Sequence, residues 1–61
     1  MPWTPERYPP AMRHLPIDVR LKAIAIANAM LDEGGDEGMA IRVGIATAKK
    51  WAAARDDDDH L

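Results

Sequence analysis

The sequence predicts an all-α fold: a two-helix antiparallel hairpin over residues 16–33 and 36–55, with a Pro/aromatic N-terminal arm packed over it. Three observations carry that prediction. Alanine, a strong helix former that is depleted in strands, is spread through both segments. Each segment is far longer than the usual strand of about five or six residues. Helix start and stop signals fall where two helices need them: Pro16 and Asp18 open the first, Gly34 and Gly35 close it, and Asp36 opens the second. A period-2 pattern competes, because Ile41, Val43, Ile45 and Thr47 alternate with Ala40, Arg42, Gly44 and Ala46. A two-stranded hairpin alone is marginal in water, so the helical reading is preferred.

The arm, residues 1–15, begins with a segment that holds Pro2, Pro5, Pro9 and Pro10 together with Trp3 and Tyr8; Pro16 follows at the start of the first helix. Proline fixes φ and pushes its predecessor toward extended conformations. Thr4-Pro5 could start one helical turn with Thr4 as N-cap and Pro5 at N1, and 9–14 could form another. Trp3, Tyr8, Met12 and Leu15 are too apolar for a solvated leader and are expected to enlarge the core.

In the first helix, Pro16 is expected at N1, with Asp18 in the first turn, where a carboxylate suits the dipole. At ~100° per residue, Ile17, Leu21, Ile24 and Leu31 share one side and Val19, Ile26 and Met30 a second. An apolar arc this wide implies cover on two sides, by the second helix and by the arm or another subunit. Asn28 lies on the first stripe and is expected to bond the arm's backbone.

The second helix carries Ala40, Gly44, Ala48 and Ala52 at i+4 spacing. Small ridges let two axes approach closely. Gly44 costs roughly 1 kcal/mol of helix propensity against alanine, and close contact with the first helix is the expected offset. Ala40, Gly44, Ala48 and Trp51 are therefore assigned to helix–helix packing. Lys49, Lys50 and Arg55 suit the C-terminal dipole, whereas the Asp run at 56–59 does not. Residues 56–61 are expected to form a disordered acidic tail.

Composition narrows function more than it defines it. A chain of 61 residues is one small domain at most, and with no cysteine it has no disulfide and no thiolate metal site. Chains of this size usually need a staple or a partner. The net charge is −2, of which the Asp run supplies −4, leaving the rest at +2. That balance lacks the basic patch of strong nonspecific nucleic-acid binding. A nucleic-acid-associated regulator using the basic end of the second helix, with Arg42, Lys49, Lys50 and Arg55, is the alternative; as a DNA-reading helix–turn–helix it would present an acidic and apolar N-terminal end to the bases. No serine nucleophile, phosphate loop or metal-spaced histidine pair is present; His14 and His60 stand apart. The expectation is a protein that is not an enzyme, with no cofactor and no metal. No apolar run approaches the ~20 residues of a membrane span, and no signal-peptide pattern opens the chain, so the cytoplasm is the expected compartment.

The chain also resembles a group of very small bacterial proteins that share an N-terminal Pro-Trp, Tyr-Pro, a Met, Leu-Pro-x-x-Val-Arg, and Glu-Gly-x-Ala-Ile through Lys-x-Trp. Pro2-Trp3, Tyr8-Pro9, Met12, Leu15-Pro16, Val19-Arg20 and Glu37-Gly38 fit that pattern. More distantly, the Leu-Pro start and the Ala-rich second helix are similar to the ChaB-like family, named as cation transport regulators. The longer inter-helix insertion and the paired aromatics of that family are missing here. The resemblance implies a small helical fold and brings no catalytic residue with it. The function expected is non-catalytic: an accessory or regulatory protein that binds another protein or itself. Trp3, Tyr8, Met12, Val19, Ile26 and Met30 are the candidate interaction residues. A small subunit of a larger enzyme complex is a further alternative.

Overall fold

The computed structural model describes the backbone of residues 3–59 and the side chains of residues 3–55. Among the described residues, a 3-10 turn, Pro10–Met12, precedes two α-helices, α1 (Ile17–Asp32) and α2 (Glu37–Asp59). The helices pack against each other as an antiparallel hairpin, and no strand is formed among the described residues.

The start of α1 differs by one residue from the expectation. Pro16 is its N-cap, with φ −55° and ψ 154°, and its carbonyl accepts Arg20 N–H at 2.8 Å. An N-cap needs extended ψ, which proline adopts readily, and proline has no N–H left to satisfy. Asp18 accepts Val19 N–H at 2.9 Å in the first turn.

The turn between the helices is a Schellman closure. Gly35 N–H donates to Met30 O and Gly34 N–H to Leu31 O, both at 2.9 Å. Gly34 has φ 88°, the left-handed region that favours glycine. Asp36 then caps α2: its Oδ2 accepts Met39 N–H at 3.0 Å, and its carbonyl accepts Ala40 N–H at 2.8 Å.

α2 is longer than the span expected. It takes in 56–59, which the sequence assigned to a disordered tail; residues 60–61 lie outside the described residues. The dipole disfavours carboxylates at this end, but 52–54 is a run of three alanines and no glycine or proline stops the helix before the Asp run.

The core is built from Met12, Val19, Ala23, Ile24, Ala27, Ala40 and Ala48. Trp3, Tyr8, Leu15, Met30, Leu31, Ile41, Ile45 and Ala52 pack against it, half-buried. The helix–helix seam itself is made of small residues. A Cβ added at Gly44 would lie 2.9 Å from Ala23 O and 3.4 Å from Ala27 N and Cβ. Gly44 thus marks a point where the α2 backbone lies against the α1 backbone.

Candidate interaction surface

The arm is held by α1 through two side chains. Asn28, 3% exposed, grips the backbone of Trp3 at both poles. Its Nδ2 donates to Trp3 O at 2.9 Å, and its Oδ1 accepts Trp3 N–H at 3.3 Å. That satisfies a buried amide, which would otherwise cost the fold its desolvation penalty.

Arg20 is the second clamp. Its Nε donates to Met12 O at 3.2 Å, and its Nη2 donates to Arg13 O at 3.1 Å and Leu15 O at 2.9 Å. The same guanidinium lies over the Tyr8 ring, 4.6 Å from its centroid. The planar fork suits this corner, where three carbonyls converge. Sequence reasoning assigned Arg20 no role. A lone arginine on a helix reads as solvated, and only the folded arm brings these carbonyls to it.

Of the arm's two expected helical turns, the first is a reverse turn instead and the second forms as a 3-10 turn. Residues 4–7 close as a tight reverse turn: Thr4 N–H donates to Arg7 O at 2.8 Å, and Arg7 N–H donates to Thr4 O at 3.0 Å. Thr4 Oγ1 also accepts Arg7 N–H at 3.0 Å. Pro5 at the second position pre-sets the corner. Residues Pro10–Met12 form the second turn and deliver Met12 to the core, fully buried.

The six residues expected at an interaction surface therefore separate. Met12 and Val19 belong to the core, because the arm folds back and Val19 lies near the seam. Trp3 and Tyr8 are half-buried against the hairpin by the arm's docking. Ile26 and Met30 stay half-buried on the other flank of α1. Among the described residues, the large apolar side chains that are exposed are Ile17, Leu21, Met39 and Val43. Ile17 and Leu21 share the Asn28 side of α1, to which the arm is bonded, and Met39 and Val43 lie on the flank the arm leaves open; periodicity alone could not show that division.

The basic residues separate as well. Arg42, Lys49 and Lys50 are exposed. Arg55 lies over the Trp51 ring at 4.5 Å and reaches Asp18 Oδ2 at 3.4 Å. Lys22 covers the same ring at 5.3 Å. Trp51 is thus half-buried between two cations, while Ala40, Gly44 and Ala48 lie buried in the seam. Among the described residues there is no pocket and no group of three His, Asp or Glu side chains placed to hold a metal ion. No described helix is long and apolar enough to cross a membrane.

The arrangement defines a small helical hairpin with a docked N-terminal arm. The chain is similar to an uncharacterised protein, YdaT, of Bacillus subtilis (strain 168), 48% identical over 59 residues, or 97% of this chain. It spans 39% of that relative's length. No family model matches the chain, so the ChaB-like resemblance finds no counterpart there, and no solved structure matches it.

Proposed function

We propose that the chain is a non-catalytic accessory or regulatory protein that acts through protein–protein interaction. One observation carries the reading. After the arm and both helices have packed, Ile17 and Leu21 on α1 remain 60% and 42% exposed, and Met39 and Val43 on α2 remain 51% and 39% exposed. Each pair sits at i, i+4, so its two side chains adjoin on one helix face rather than stand singly. Scattered apolar residues are ordinary on a surface, whereas contiguous ones mark contact sites.

The test is native mass spectrometry with sedimentation velocity, alongside a pulldown with the full chain. The expected result is a defined complex, lost on Val43→Glu while helicity is kept. A cooperatively melting monomer that binds no protein overturns the reading.

A further inference from the structure

We infer that the flank of the hairpin opposite the arm is a self-complementary surface, and that its occupant is a second copy of this chain, packed antiparallel. The inference rests on the interaction reading above and names the partner.

The flank is defined by contacts. Lys22 of α1 lies over Trp51 of α2. The i+4 row through Lys22 continues to Ile26 and Met30, and the row through Trp51 runs back through Thr47 and Val43 to Met39. The arm is bonded to α1 through Asn28, on the other side of the helix from Ile26. Ile24, near Asn28 on the wheel, is only 5% exposed, whereas Ile26 is half-buried and Met39 and Val43 are exposed.

Along this flank the residues change character in a fixed order. Nearest the turn are Glu33 and Asp36, both exposed. Next come Met30 and Met39, then Ile26 and Val43. Beyond them lie Lys22 on α1 and Lys50 on α2, with Asp18, one turn past Lys22, paired to Arg55. The order is acid, apolar, base.

A two-fold axis lying in the surface and across the helices, midway along the apolar block, inverts that order. It sets α1 over α1 and α2 over α2, antiparallel. Met30 then meets Ile26 of the other copy, and Met39 meets Val43. Glu33 lies three residues turnward of Met30, and Lys22 four residues beyond Ile26. On α1 the charges therefore meet with a mismatch of one residue, ~1.5 Å of helix rise; on α2, Asp36 lies three residues before Met39 and Lys50 seven beyond Val43, a wider offset of about 6 Å. The opposite two-fold, along the helices, would stack the acidic end of each copy on the acidic end of the other. Charge thus selects the antiparallel pairing.

Size agrees with a reversible dimer. The broad face of the molecule measures at most 39 × 22 Å. The apolar block is four side chains within that face, so the contact lies below the ~800 Å² per partner of a standard interface, in the weak and reversible class. An isologous contact of this kind closes on itself and does not propagate.

The experiment is sedimentation equilibrium of the full chain with Glu33→Lys and Lys22→Glu, each alone and mixed in equal amounts, with circular dichroism to confirm the fold. Wild type is expected to dimerise. Each reversal places two like-charge pairs in its own homodimer and should weaken it about tenfold at low salt. In the mixture, each position 33 again faces a position 22 of opposite charge on the other chain, so the heterodimer should regain wild-type affinity. Val43→Glu should abolish the dimer. A wild-type monomer at millimolar concentration, a dimer indifferent to Val43→Glu, or a mixture no tighter than the single variants overturns the inference. Binding of a different protein through Met39 and Val43 without self-association also overturns it, yet leaves the interaction reading standing.

Discussion

At the scale of single residues, Gly44 shows how magnitude decides a sign. Alanine there would gain roughly 1 kcal/mol of helix propensity. Its Cβ would also sit 2.9 Å from the carbonyl oxygen of Ala23, which is backbone and cannot swing away. Overpacking of this kind costs about 1–3 kcal/mol, so Gly44→Ala should destabilise and Gly44→Leu should unfold the hairpin or force it apart. Thermal melts by circular dichroism check both; a Gly44→Leu chain as stable as wild type would mean the seam lies elsewhere. Asn28→Ala removes both bonds to Trp3 and leaves that peptide's N–H and C=O facing a partly buried site. A loss of about 1–3 kcal/mol is expected, read from denaturant unfolding of the variant against wild type. The Asp18–Arg55 pair is different. Both side chains are about half exposed, so Asp18→Asn should move stability by less than about 1 kcal/mol.

At the scale of elements, the helices and the turn between them were legible because their signals are local. Proline at a helix start, paired glycines at its end and an Asp cap are each read within a few residues. The seam was legible for a related reason: small side chains at i+4 have one obvious use. The arm was less so. Its corner at 12–15 takes bonds from Arg20, and a sequence cannot show that an arginine on α1 will find the carbonyls of Met12, Arg13 and Leu15. Arg20→Lys is therefore a sharp probe. Lysine keeps the charge but loses the planar fork, so the arm corner should loosen and the melting temperature fall, with α1 and α2 still helical. Hydrogen exchange that speeds up over 10–15 and stays slow in the helices would show it; unchanged protection there would mean the corner holds without the fork. In the turn, Gly34→Ala should cost about 1–2 kcal/mol, since alanine resists a φ of 88°, as a chemical-denaturation midpoint would report.

At the scale of the whole molecule, one side of the hairpin carries the chain's own arm, with Ile17 and Leu21 still exposed beside it, and the other is left with Met39 and Val43 in solvent. Periodicity predicted that the first helix would be covered on two sides, but not which side the arm would take. That choice is made by Asn28 and Arg20 together, from positions eight residues apart on α1. If the open side takes a second copy, the melting temperature should rise with protein concentration, because mass action stabilises whatever the folded state binds. A melting temperature independent of concentration over a hundredfold range would rule that out for conditions where the chain is folded.

The buried seam of Ala23, Ala27, Ala40, Gly44 and Ala48 has one more consequence. Alanine and glycine give up almost no rotamer freedom on burial, whereas a leucine or methionine in the same place gives up ~0.5 kcal/mol or more. Order in this hairpin is therefore bought chiefly with backbone against backbone, and its most persistent region should be the stretch where the two helices touch. The amides of 23–27 and 44–48 should be the last to exchange with solvent deuterium, long after the arm and the far end of α2 have done so.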